Sequence, residues 1–186
     1  MNIMNKELSL PSESECMRIM EEYEMLPNIV EHSIQVKNVA CAIMDHLKDD
    51  VKINRSMVIS GSLLHDIAKT RTIKTRELRH DLIGGEMLRK MNLDSLAEIC
   101  ESHVVFQDFN ARGPLEEREI VFYADKRVMH DTVVTLDDRV EDLVHRYGVN
   151  DKVKSLIREN KHFVLQIETK IRDCMTVDLD TVLTKL

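Results

Sequence analysis

Apolar residues recur at helical spacing through successive segments of the chain, the pattern of packed amphipathic helices. Residues 1–11 read as a loose leader ending in Pro11, after which Ser12-Glu13-Ser14-Glu15 has the form of a capping box opening a helix to residue 24. Leu26-Pro27-Asn28 interrupts it. The next helix spans 29–47, with His32, Val36, Val39, Ala40, Ile43 and Leu47 on one face. Asn54 suits the N-cap of a third helix, along which Val58, Gly61 and His65 align, with Asp66 about 100° further around the axis. A polar, basic stretch follows at 69–79 and reads as a solvated loop. Helices then begin near His80 (His80, Gly84, Met87, Leu88 and Met91 on one face) and at Asn92-Leu93-Asp94 (Leu96, Ile99 and His103 aligned). Residues 107–114 form a loop. A helix over 116–129 carries Val121, Phe122, Asp125, Val128 and Met129 on one side, and helices at 136–147 and 150–170 are separated by a stop at Gly148.

Composition narrows the class. Five Gly and three Pro in 186 residues leave little turn chemistry for an all-β fold, so the expectation is an all-α chain forming a single compact helical bundle. The expected divisions are a leader with a short helix (1–28), a core (29–130) and a helical extension packed on it (131–186). A net charge of −7 argues against a nucleic-acid polymer as partner, since backbone binders carry a basic face. It leaves room for a small phosphorylated ligand at a local basic pocket, and residues 69–79 supply five cations against the single Glu77. Cys16, Cys41, Cys100 and Cys174 are far apart and read as reduced core residues. The first thirty residues carry charge throughout and no apolar run approaches membrane-spanning length, so neither signal peptide nor membrane contact is expected and the location expected is cytoplasmic. The sequence leaves open whether the chain forms a homo-oligomer.

The chemistry lies in polar residues lodged on apolar faces. His32, His65, Asp66, His80, His103 and Asp125 come from five helical segments, and a lone buried histidine among them would read as a hydrogen-bonded core residue. Six such groups facing one interior would cost several kcal/mol each if unpaired. Divalent cations would satisfy them together. Nitrogen and carboxylate donors without thiolate suit Mn, Fe, Co, Ni or Zn. Six ligands are too many for one open centre and fit two metals bridged by a carboxylate, for which Asp66 is the natural choice.

These residues resemble a known family. His32, the doublet His65-Asp66 and the later Asp125 match the signature of the HD-domain phosphohydrolases, and His65-Asp66-Ile67-Ala68-Lys69 is similar to their motif with its trailing lysine. His80-Asp81-Leu82-Ile83-Gly84-Gly85-Glu86-Met87-Leu88 resembles the segment of the two-metal, HDIG-like members. His103 and Tyr123-Ala124-Asp125-Lys126 match their later motifs. The resemblance covers about residues 29–130. It implies one metal on His32, His65, Asp66 and Asp125 and a second on Asp66, His80 and His103. The implied activity is hydrolysis of a phosphoester or phosphoanhydride of a nucleotide or other small metabolite by a metal-activated hydroxide, with Asp66 and Lys69 in catalytic roles. Lys69, Arg76, Arg79 and Lys126 are the expected phosphate contacts, and loops 69–79 and 104–115 the expected seat of specificity. Val104 follows His103 and no Gly-Tyr-Pro occurs, which sets the chain apart from the cyclic-dinucleotide phosphodiesterases. A module that senses a nucleotide without turnover is the alternative.

Overall fold

The computed structural model describes residues 10–186 and is helical with almost no strand. The helices are α1 (Glu13–Glu22), α2 (Pro27–Met44), α3 (Arg55–Leu64), α4 (Lys69–Thr75), α5 (His80–Lys90), α6 (Asp94–Ser102), α7 (Glu117–Lys126), α8 (Leu136–Tyr147), α9 (Asp151–Cys174) and α10 (Leu179–Leu183). Two short strands, β1 (Val128–Met129) and β2 (Thr132–Val133), pair antiparallel between α7 and α8, with Val128 opposite Val133. The all-α expectation holds.

Local chemistry sets the helix starts. Ser12 and Glu15 form the reciprocal capping box, and Asn54 caps α3 by accepting from the Met57 amide. Pro27, expected only to break a helix, sits in the first turn of α2, where its missing N–H costs nothing. Pro11 is buried and its carbonyl accepts from Ser60 Oγ at 2.7 Å, so the end of the expected leader is fastened to α3. Residues 1–9 lie outside the described part of the chain. The helix expected over 116–129 stops at Lys126, and β1 begins at Val128.

The core is continuous from α1 to α10 and includes Val36, Val39, Ile43, Leu63, Leu64, Ile99, Val121 and Phe122. Helices α2, α3, α6 and α7 pack around it, α5 lies along α6, α9 rests on α7, and α8 and α9 form a hairpin. Gly84 permits the close approach of α5: a Cβ there would lie 2.6 Å from Cys100 Sγ and 3.3 Å from Ile67. All four phenylalanines (Phe106, Phe109, Phe122 and Phe163) form one edge-to-face cluster that ties the loop after α6 to α7 and α9.

The basic stretch is where expectation and structure part. Residues 69–75 form α4 instead of a loop. Thr70 and Thr72 are buried, and Thr70 Oγ1 accepts from the Leu26 amide at 2.9 Å, so tertiary contacts outweigh the weak helix propensity of threonine. Arg76 ends α4 in the left-handed region at φ 60°, and Arg79 adopts φ 63° before α5.

Candidate metal centre

Helix ends bring the predicted residues together. His65 and His103 are the C-caps of α3 and α6, where the carbonyls of the last turn lack helical partners. Each ring places Nδ1 on the carbonyl three residues earlier: His65 on Ser62 at 2.7 Å, His103 on Cys100. On α2, His32 places Nδ1 on the His130 carbonyl at 2.9 Å. A carbonyl only accepts, so Nδ1 is the donor in all three of these contacts, and Nε2 of each ring is turned to the interior. This is the arrangement in which histidine binds a metal.

The inward atoms converge. His32 Nε2 lies 3.0 Å from Asp125 Oδ1, and His65 Nε2 lies 3.5 Å from Asp66 Oδ2 and 3.8 Å from Asp125 Oδ1. His80 Nε2 and His103 Nε2 each lie 3.3 Å from Asp66 Oδ1 and 3.1 Å from one another. Two triads result, His32-His65-Asp66 and Asp66-His80-His103, each with ligand atoms within 4.8 Å. Asp66 belongs to both. His80 stands at the rim with its side chain 27% exposed, against 1% for Asp66.

Two buried atoms of this cluster, His65 Nε2 and Asp66 Oδ1, have no hydrogen-bond partner among the described residues. Orphaned polar atoms are costly in a protein interior, and here both face the convergence point. Imidazoles and carboxylates facing one point form a donor set that fits a divalent cation. The chain thus carries a cluster able to hold divalent metal.

The charge states agree with that fit. Burial pushes His65 down to about 3, against the pull of Asp66, so the ring is neutral. For Asp66, burial alone would raise the carboxyl, but the Lys69 ammonium and the imidazoles of His65, His103 and His80 beside it hold it well below the usual range. Asp125 is likewise held low against burial by Lys126 and His32. Lys69 Nζ donates to Asp66 Oδ2 at 2.7 Å, and Asp66 and Asp125 raise its ammonium against the effect of burial. Lys126 Nζ donates to Asp125 Oδ2 at 2.6 Å and to the His103 carbonyl at 2.8 Å.

The cluster opens into a cavity of about 430 Å³ bordered by His80, His103, Asp125, Lys69 and Lys126. All six predicted ligands and both lysines are therefore brought together. Arg76 and Arg79 are not. Arg76 is exposed at the end of α4, and Arg79 forms a two-pronged pair with buried Asp81 and lines a separate groove with Glu98 and Glu101. The other cations of that stretch are also engaged, Arg71 by Glu77 and Lys74 by Glu24. The cavity's far wall comes from a region the sequence left unread: Leu136, Arg139, Val140, Leu143 and Tyr147 of α8, with Ile157 and Val164 of α9. The stripe Leu136-Val140-Leu143 is visible in the sequence, but nothing local marks what it faces. His130 contributes through its carbonyl, which holds the His32 ring.

Comparison with known proteins agrees with the fold and the cluster. The profile of the HD domain matches residues 29–129, more than half of the chain, and the chain belongs to the HD domain family. A tRNA (cytidine(56)-2'-O)-methyltransferase of Picrophilus torridus is 30% identical over 140 residues, covering 68% of this chain and 39% of that protein. An uncharacterized protein of Methanocaldococcus jannaschii is 29% identical over 148 residues, covering 72% and 86%. A second tRNA (cytidine(56)-2'-O)-methyltransferase, from Thermoplasma volcanium, is 28% identical over 96 residues, covering 51% and 26%. The chain thus spans less than half the length of either methyltransferase. No solved structure matches. Among the described residues no helix is long and apolar enough to cross a membrane.

Proposed function

We propose that the protein is a metal-dependent phosphohydrolase acting on a phosphoester or phosphoanhydride of a nucleotide or another small phosphorylated metabolite. One observation carries the reading: His65 Nε2 and Asp66 Oδ1 are buried without partners in a ring of imidazoles and carboxylates that opens into a lysine-bordered cavity. The two triads sharing Asp66 support two cations, the first on His32, His65, Asp66 and Asp125 and the second on Asp66, His80 and His103. Fe, Mn, Co, Ni and Zn all suit these donors. Bound divalent ions supply an activated water and offset charge on a transferring phosphoryl group.

The protein's own groups orient the substrate. Lys69 spends one hydrogen on Asp66 and has two more donors for phosphate oxygens on the cavity side. Lys126, fixed by Asp125 and the His103 carbonyl, presents its remaining donor from the other flank. In the reaction the oxygen of water joins phosphorus, the bond to the leaving oxygen breaks, and a proton from that water ends on the leaving group. A cavity of this size fits a small molecule better than a polymer. Residues 29–129 hold every ligand, so the reading attaches to the HD segment and not to the methyl transfer for which two longer relatives are named.

Elemental analysis of the protein as isolated, followed by phosphate release from a nucleotide panel with each metal restored, tests the reading. Two equivalents of metal and turnover are expected. No metal and no turnover with any of the five ions would sink it, and a nucleotide that raises Tm but is recovered intact would favour a sensor.

A further inference from the structure

The HD profile ends at residue 129, yet much of the cavity wall lies beyond it, on the α8–α9 hairpin. That wall has two halves. Nearest the cluster is Arg139, whose side chain is only 11% exposed and whose Nε is buried without a partner among the described residues, while its NH1 donates to Asp142 Oδ2 at 3.0 Å. Arg139 and Lys69 are the two residues that line both the main cavity and a small adjoining one of about 70 Å³ beside His32, Asp66 and Arg146. Buried guanidinium groups with a free donor match phosphate oxygens well. The Arg146 side chain locks Asp142 from the other side through two hydrogen bonds, so Arg139 is held in place rather than neutralised by a mobile carboxylate.

Further out, the wall is aliphatic: Val140 and Leu143 face Ile157 and Val164 across the hairpin. Tyr147 stands at its rim with 54% of its surface exposed, and Asn160 offers a carboxamide beside it. An anionic end, an apolar slot, a free aromatic face and one amide describe a phosphate ester with a planar, weakly polar organic group.

Resting on the phosphohydrolase reading, we propose that the α8–α9 hairpin is the substrate-selecting half of the site. Arg139 joins Lys69 on the phosphate, and the Val140-Leu143-Ile157-Val164 slot with Tyr147 takes a heterocyclic base. Selection then sits outside the matched domain, and a sugar phosphate lacking the base would be a poor ligand.

A matched pair of ligands tests this: a nucleoside 5'-monophosphate and ribose 5-phosphate, which share the same primary ester and differ in the base. The metal-loaded wild type is expected to prefer the nucleotide by ~10-fold or more in kcat/KM. Leu143→Gln and Tyr147→Ala should each move that ratio toward one, and Arg139→Met should weaken both ligands by about tenfold or more while leaving the ratio in place. Circular dichroism checks that the variants fold, and a variant that merely loosened the fold would lower both rates without changing the ratio. Equal rates for the two esters in the wild type, or a ratio indifferent to Leu143 and Tyr147, would overturn the assignment. If neither ester is hydrolysed, the catalytic reading is decided separately by the nucleotide panel, and calorimetric titration of the same pair still reads the wall. Tighter binding of the nucleotide supports it; equal binding or none rejects it.

Discussion

Helix α7 buries a carboxylate near each end, and the two lie in opposite surroundings. Near its start, Glu119 is closed off: Oε1 accepts from Lys170 at 2.7 Å, Oε2 accepts from the Glu116 amide at 2.9 Å, and Lys170 also donates to the Asn110 carbonyl at 2.9 Å. Near its end, Asp125 is itself partnered, by His32 Nε2 at 3.0 Å and Lys126 Nζ at 2.6 Å, but it borders a cluster in which His65 Nε2 and Asp66 Oδ1 have no partner among the described residues. Both sites bury charge on one helix of ten residues. Burial of charge is therefore a poor mark of a functional site. What separates the two is whether the polar atoms around the carboxylate are also used up within the protein.

The comparison breaks most sharply at Asp66. Asp66→Asn should lose metal and at least ~10²-fold in activity, and it should also lower the melting point of the metal-free protein, because the Lys69 ammonium loses its charge partner. Elemental analysis, turnover and a thermal melt read all three. At the closed end the pattern inverts: Lys170→Met strands Glu119 and should cost about 3–5 kcal/mol in urea unfolding with metal content intact. Replacing both partners by well-packed apolar residues should recover most of that loss.

Acid distinguishes the ends as well. His65 is held at about 3 in the fold and titrates near 6.5 when unfolded, so between those values the unfolded chain binds a proton that the native chain refuses. Its contribution is full above 6.5 and is lost as pH falls, reaching about 2 kcal/mol at pH 5 for the metal-free protein. Asp66 and Asp125, both held low, add further loss below about pH 4, because their stabilising charge is present above the unfolded value and disappears under it. Urea midpoints at pH 7 and pH 5 measure the His65 part, and His65→Asn should flatten it. The smallest effect is expected at Arg76. Arg76→Gln should shift KM by less than ~2-fold, as for most exposed substitutions away from a site.

The six clustered residues were legible because most of them set a polar group on an otherwise apolar helical face, a conflict that short-range periodicity exposes. Glu119 escaped the same reading because its answer, Lys170, lies 51 residues away. Arg76 and Arg79 were misplaced because a run of cations does not disclose its partners. Arg79 belongs to Asp81, and Arg71 and Lys74 belong to Glu77 and Glu24. The α8–α9 wall went unread for a different reason: an amphipathic stripe specifies that something is faced, while the tertiary fold decides what.

His32, His65 and His103 are oriented by carbonyls of the main chain. An acceptor of that kind survives almost any replacement of the residue that carries it. Positions 62, 100 and 130 can drift over generations without turning a ring, as far as orientation alone is concerned. Where side-chain carboxylates do this work, supporting residues must be inherited along with the ligands. Here the helix ends perform it, and a lineage that keeps the backbone path keeps the rings aimed.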